Sequence, residues 1–337
     1  MKLSALRTKA ALRTTAVALT AALSVAVVAG GGAASAEPEK PSAVSSVVKD
    51  GRTWHLKVYS AAMKKDITVD VQRPADDSKP APNFYMFSGL DAGEGTASWQ
   101  AQTQALSYLA DKHVNVVLPI GGRGSYYADW KQEDPKLGLN KWSTFFTEEL
   151  PPLLDKTLNS TGLNALAGLS TSGTSVLQLA EKKPGLFKSV AAYSGCAQIA
   201  DPLGKQAVKF SVETWAGGKT VNMYGADNDP AWTENDPVIH AEKLRGTNLY
   251  ISSGSGMPTN ADVEYYLKDG PMGVINLGLG VGIEAATNAC SQNLKAKLDS
   301  LNIPATYQFT PMGTHYWPYW ESALHESWPL LAQGMGI

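Results

Sequence analysis

The chain has 337 residues, with 29 Lys and Arg against 31 Asp and Glu and a formal net charge of −2. That balance, without a basic stripe, excludes nucleic acid as the obvious partner. No histidine pair at ligand spacing and no cysteine cluster suggests a metal centre, and no motif calls for a cofactor.

The N-terminus reads as a targeting segment. Lys2, Arg7, Lys9 and Arg13 form a basic start, Ala16 to Ala29 is apolar, and Ala34-Ser35-Ala36 fits a cleavage site. The apolar run is too short to span a bilayer comfortably. Residues 1–36 are therefore expected to be a signal peptide, 37–46 a flexible Pro/Ser/Glu-rich leader, and 47–337 a single domain working outside the cell or in its envelope. Removing the four basic residues of the signal leaves 25 basic against 31 acidic side chains, near −6. Export makes a disulfide between Cys196 and Cys290, the two cysteines present, the expected state.

Along the mature chain, Thr53 to Tyr59 and Ile67 to Gln72 alternate apolar and polar residues and predict antiparallel strands. Asn83 to Phe87 predicts a short buried strand and Trp99 to Lys112 a helix. Val114 to Ile120 is a near-continuous apolar run, as in a strand covered on both faces. Trp142 to Leu158 predicts a helix, Asn164 to Leu169 a strand, and Ser172 to Lys182 a helix. Further strands are expected at Ser189 to Tyr193, Thr247 to Ser252 and Ala305 to Phe309, with a final helix from Trp320. The glycine-rich segment 270–282 looks too broken for a helix interior and is expected to form a flexible wall of a lipid site. Strand and helix alternate from residue 83 onward. This predicts an α/β-hydrolase architecture, a mostly parallel sheet with helices on both faces and ligands gathering at the carboxyl ends of its strands.

The chemistry-bearing motif is Gly168-Leu169-Ser170-Thr171-Ser172-Gly173, between a buried strand and a helix. A sharp turn there needs small flanking residues and lifts Ser170 above the sheet edge as a nucleophile; Ser172 stands where glycine is usual. The same serine could merely cap the helix. A serine nucleophile needs a base. Of the five histidines, His315 in Gly313-Thr314-His315-Tyr316-Trp317 lies just past the last strand, where the Ser–acid–His chain order puts it. The acid must fall between Ser170 and His315, and Asp227, Asp262, Glu264, Asp269 and Glu284 all qualify by position. Oxyanion donors are expected from the amides of Thr171, after the nucleophile, and Leu90, after the strand ending at Phe87. Trp99, Trp130, Trp317 and Trp320, with Leu277 and Leu279, could wall an apolar acyl channel or simply pack the core.

Ser88-Gly89-Leu90, the stretches 116–130 (VVLPIGGRGSYYADW), 141–151 (KWSTFFTEELP), 167–170 and 313–320 (GTHYWPYW), and Asp229-Pro230-Ala231-Trp232 with Asn235-Asp236-Pro237 together resemble the antigen 85 mycolyltransferases. The blocks cover essentially the whole mature chain in order. The resemblance implies an α/β-hydrolase fold and a mycoloyl-enzyme formed from trehalose monomycolate. It selects Glu284 as the acid, beyond the glycine-rich segment, and matches Ser170, His315, Leu90 and Thr171 to the family's nucleophile, base and oxyanion donors. It also points to Ser88, Asp91, Gln102, Asp129, Trp130 and Trp317 as substrate contacts. The chain departs from the family at several points. Ser88-Gly89-Leu90-Asp91 stands for Asp-Gly-Leu-Arg, Gln102 for an asparagine, and Thr171 for a methionine. The family's cysteine pair after the Asp-Trp block is absent. The implied partners are trehalose mycolates and hydroxyl acceptors: trehalose monomycolate, cell-wall glycan or protein. Peripheral association with the outer lipid layer is expected. The competing readings are a secreted carboxylesterase or lipase using water, and a non-catalytic wall-binding protein on the same scaffold.

Overall fold

A computed structural model describes residues 40–337; the predicted signal peptide and the first residues of the predicted leader lie outside the described residues. The described chain is built around a nine-stranded sheet. Its strands are β1 (Ala43–Asp50), β2 (Thr53–Ser60), β3 (Lys65–Gln72), β4 (Ala81–Phe87), β5 (Asn115–Ile120), β6 (Ser160–Leu169), β7 (Phe187–Tyr193), β8 (Asn248–Ser253) and β9 (Thr306–Phe309). Their spatial order is β1-β2-β3-β5-β4-β6-β7-β8-β9. The pairs β1–β2, β2–β3 and β3–β5 are antiparallel, and every pair from β5–β4 to β8–β9 is parallel.

Helices α1 (Trp99–Gln102) and α2 (Ala105–Tyr108) follow β4, and α3 (Trp142–Thr144) and α4 (Leu150–Leu158) follow β5. Next come α5 (Thr171–Lys182) after β6, and α6 (Pro202–Lys209), α7 (Thr220–Met223) and α8 (Ala231–Glu234) after β7. Helices α9 (Asn260–Leu267) and α10 (Gly270–Ser300) follow β8, and α11 (Trp317–Met335) closes the chain. All seven residues of β4 are buried, because alternate side chains enter opposite layers. Tyr85 and Phe87 join a core with Leu154 of α4, Val176 of α5 and Leu298 of α10. Phe84 and Met86 join a second core with Trp99 and with Leu324 and Leu331 of α11.

The structure departs from the sequence reading at four places. β1 begins at Ala43, inside the segment expected to be a flexible leader. It is an edge strand with mostly exposed side chains and a register shift between Val44 and Ser46, so its apolar periodicity is faint. The expected helix from Trp99 to Lys112 is two single turns, separated at Thr103, which is extended. The expected Trp142 to Leu158 helix contains a π-helical stretch, Phe145–Glu149. Pro151 and Pro152 follow it and cannot donate to the carbonyls one turn earlier, and the wider turn accommodates that loss.

The largest correction is the glycine-rich segment. It opens α10, a 31-residue helix, and is not a flexible wall. A glycine costs roughly 1 kcal/mol in a helix interior, but tertiary contact overrides that here. A Cβ on Gly273 would lie 1.7 Å from the Tyr266 carbonyl oxygen, so glycine is what allows α10 to turn back tightly against α9.

Candidate active site

β6 runs into α5 through Ser170, whose backbone has φ +56° and ψ −127°. A side chain with positive φ is strained, and the strain is characteristic of a serine raised on a tight strand-to-helix turn. Gly168 makes the turn possible: a Cβ there would stand 2.5 Å from the Ser172 carbonyl oxygen. Ser172, where glycine is usual, is buried and donates its hydroxyl to the Ser88 carbonyl. The substitution therefore ties the turn to the loop after β4 instead of disrupting it.

His315 comes from the loop after β9, and its backbone N–H donates to the Gly280 carbonyl of α10 at 3.1 Å. Its Nε2 lies 2.8 Å from Ser170 Oγ, and its Nδ1 lies 2.8 Å from Glu284 Oε2. Glu284 is 1 % exposed. Its other oxygen, Oε1, accepts from the Gly254 amide at 2.6 Å, Ser194 Oγ at 2.8 Å and Ser253 Oγ at 3.0 Å. Three donors on one oxygen compensate a carboxylate for the loss of water and leave Oε2 for the imidazole. With the proton on Nδ1, Nε2 can accept from the Ser170 hydroxyl. Such a line can remove the proton of a serine as it attacks a carbonyl and return it to a leaving oxygen.

Two cavities meet at Ser170. One, of about 170 Å3, is lined by Leu90, Ser170, Thr171 and His315 and by Leu203, Phe210, Trp215, Ile283 and the two cysteines. The other is a shallower cleft lined by Gly89, Leu90, Asp91, Ser170, Trp317 and Trp320 among others. Leu90 and Thr171 thus border the space in front of Ser170, and Thr171 opens α5, where backbone N–H groups lack intrahelical partners. Burial raises the phenol of Tyr266, on α9 beside the His315 loop, to about 12, so it stays neutral.

The amino-acid sequence matches the family described as putative esterase over residues 60–331. It is 31 % identical over 292 residues to the diacylglycerol acyltransferase/mycolyltransferase Ag85A of Mycobacterium leprae, covering 84 % of this chain and 83 % of that protein. The chain belongs to the antigen 85 family of esterase-type α/β-hydrolases. It is also 32 % identical over 294 residues to the diacylglycerol acyltransferase/mycolyltransferase Ag85B of Mycobacterium intracellulare, with the same coverage of 84 % and 83 %. The structure of Mycobacterium tuberculosis MPT51 (FbpC1) shares the fold, with a TM-score of 0.71 at 22 % identity over 85 % of this chain and 100 % of that one.

The structure sorts the acids named as candidates. Glu284 reaches His315. Asp227 is exposed and paired with Lys209, and Asp262 is buried in the cap of α9, accepting from Thr259 and Tyr319. Glu264 and Asp269 are exposed. Cys196 and Cys290 form a disulfide, with their Cα atoms 4.9 Å apart.

The expected substrate contacts divide. Asp91 and Trp317 line the cleft beside Ser170, and Asp91 pairs with Arg123 Nε at 3.2 Å. Ser88 is buried below the cleft. Gln102 lies on an exposed turn and donates to the Thr96 carbonyl. Asp129 and Trp130 line neither cavity. The Asp129 carboxylate accepts from the Thr144 N–H and hydroxyl and so holds the start of the helical run at 142, while Trp130 is fully buried with its indole N–H on the Ser125 carbonyl. A chain block can resemble a family's because it builds the same scaffold, without any of its side chains reaching substrate.

The two readings of the tryptophan and leucine set divide in the structure. Trp99 and Trp130 are core residues, Trp317 and Trp320 face the shallow cleft, and Leu277 and Leu279 do not line the larger cavity. Its apolar wall comes from Leu203, Phe210, Trp215 and Ile283. Sequence reasoning missed these, and it missed Ser194, Ser253 and Gly254 around Glu284. Ser194 and Ser253 each end or follow a buried strand, and that position was the available signal.

Proposed function

We propose that this protein moves a mycoloyl group from trehalose monomycolate to a hydroxyl acceptor through an acyl-enzyme on Ser170. The observation that carries the reading is the unbroken hydrogen-bonded line from Glu284 through His315 to Ser170, set between an apolar cavity and a more open cleft that Asp91 borders. In this reading Ser170 Oγ attacks the ester carbonyl as its proton passes to His315 Nε2. The Leu90 and Thr171 amides stabilise the oxyanion. The tetrahedral intermediate then collapses, the bond to the trehalose oxygen breaks, and His315 returns the proton to that oxygen. An acceptor hydroxyl repeats the sequence in reverse and takes the acyl group. Glu284 stabilises the imidazolium formed in each half. The apolar cavity takes the acyl chain, and the cleft lined by Asp91 and Trp317, with Arg123 paired to Asp91, takes the sugar or acceptor.

The names of the relatives support acyl transfer, and the putative-esterase family is equally compatible with water as acceptor. Incubating the purified protein with trehalose monomycolate, with and without added acceptor, separates the two. Transfer predicts trehalose dimycolate or an acylated acceptor as the main product. Dominant free mycolic acid at saturating acceptor makes the protein an esterase, and no turnover of any ester leaves a wall-binding role. The protein is further proposed to act in the cell envelope after removal of residues 1–36, which N-terminal sequencing of the exported form checks.

A further inference from the structure

Helix α10 carries an apolar stripe over its first two-thirds: Met272, Ile275, Leu279, Ile283, Ala286 and Cys290, spaced three or four residues apart and so on a single face. The far end of the stripe is the cavity wall, since Ile283, Ala286 and Cys290 all line it. The near end faces solvent, with Met272 59 %, Ile275 55 % and Leu279 39 % exposed. Val274 beside them is 56 % exposed. From Gly270 to Ile283 there is no charged side chain, and the acid that follows, Glu284, is buried. The opposite bank of the cavity matches, because Leu203, Phe210 and Trp215 both line it and are exposed. A soluble protein does not ordinarily present an apolar surface of this extent unless something covers it.

We infer that the first three turns of α10, with Leu203, Phe210 and Trp215 across the cavity mouth, form a lipid-layer docking surface. It rests the enzyme on the acyl region and leads a chain from the layer into the cavity. The inference rests on the acyl-lipid reading above and adds where the lipid layer is met. Continuity with the cavity selects the occupant. A protein seated on this face, including a second copy of the chain, would close the mouth through which an acyl chain must pass, whereas a lipid layer supplies the chain. No helix among the described residues is long and apolar enough to cross a membrane, so the helix lies in the interface instead of spanning it. An exposed apolar surface of this kind binds a lipid layer in proportion to the apolar area it buries there, and a tryptophan at its edge suits the headgroup boundary.

The test is sedimentation of the purified mature chain with phosphatidylcholine vesicles, using wild type, the double variant Met272→Glu/Ile275→Glu, and Ser170→Ala. Neither Met272 nor Ile275 touches the cavity, so both are free to change without altering the chemistry. Wild type and Ser170→Ala are expected to co-sediment equally, and the double variant to partition at least ~10-fold more weakly. The double variant should hydrolyse a soluble short-chain ester within about twofold of wild type, with an unchanged circular-dichroism spectrum. The inference is overturned if the double variant binds vesicles like wild type, or if wild type does not bind them. It is also overturned if wild type is a dimer on gel filtration that the double variant dissolves, which would make a second copy the occupant. Vesicle binding by Ser170→Ala is read without turnover. A failure of the acyl-transfer reading therefore shows in the ester assay, and a failure of docking shows in the pellet.

Discussion

Ser194 Oγ donates to Glu284 Oε1 at 2.8 Å while accepting from the Trp320 indole N–H at 3.0 Å. The hydroxyl, at the end of β7, thus fixes the carboxylate from the side opposite His315, and Trp320 fixes the hydroxyl. A hydrogen bond to a charged group is worth about 1.5–3 kcal/mol. Ser194→Ala is expected to lower kcat by roughly 10- to 100-fold, with little change in KM and a normal melting curve. Steady-state kinetics on a soluble ester measure this, and unchanged kcat would show that Ser253 and Gly254 alone suffice.

Ser170→Ala should abolish acyl-enzyme formation with the fold intact, because no other nucleophile stands beside His315 Nε2. His315→Ala and Glu284→Ala should each lower turnover by roughly 10³-fold or more, as residues that act as a unit do. Intact-mass spectrometry after reaction with a fluorophosphonate reads the first, and kinetics read the others. Near-normal turnover by Glu284→Gln would remove the acid from the assignment.

The Cys196–Cys290 disulfide closes a separation of 94 residues. On the chain-entropy model such a loop stabilises by on the order of 4–5 kcal/mol. It also joins the strand end that carries Ser194 to the helix that carries Glu284. The double Cys→Ser variant should melt at least several degrees lower and lose activity at temperatures where it is still mostly folded. Thiol titration of the denatured, unreduced protein should find no free thiol.

Asp91 lines the cleft and is paired with Arg123, and both side chains are partly exposed. An exposed pair contributes about 0–1 kcal/mol to stability, so removing it should not unfold the protein. Asp91→Ala and Arg123→Ala should raise the KM for donor or acceptor roughly 3- to 10-fold while leaving the rate of acyl-enzyme formation within about twofold. Single-turnover kinetics separate the two quantities, and an equal fall in both would place the pair in the chemical step.

On the other side of α5, burial pushes the Glu181 carboxyl well above its ordinary value; Lys243 opposes the shift, and Asp236 and Glu242 add to it. Oε1 of Glu181 has no hydrogen-bond partner. Because the folded state keeps this proton where the unfolded chain has released it, the group's contribution to stability falls as pH rises above about 4.5 toward the folded pKa. Glu181→Gln removes that slope. Its gain in Tm should be larger at pH 7.5 than at pH 4.5, by roughly 2 °C or more, and equal gains at both pH values would contradict the raised pKa.

The tight turn at Ser170 was legible in the sequence because it depends on short-range facts: a buried strand, a helix start and small residues beside the serine. His315 was legible because strand order fixes the end of the sheet at which a late loop emerges. The sheet itself followed from the alternation of β4, β5 and β6 with their helices. Glu284 is different. Position leaves several acids open, and the resemblance selects Glu284; the physical reason appears only in the packing of α10 against β8, which brings Ser194, Ser253 and Gly254 onto one oxygen and sets it apart from the capping Asp262 and the exposed Asp227. The same limit explains Asp129 and Trp130, which sit in a family-like block yet serve a helix start and a core. The glycine-rich run misled in the opposite direction. Its intrinsic propensity argues against a helix, and contacts distant in sequence overrule it by using Gly273 and Gly280 for close approach to Tyr266 and the His315 loop. Sequence alone determines the elements whose signal lies within one turn or one strand. Which side chain faces the substrate, and which faces the core, is decided by packing between segments that lie far apart along the chain.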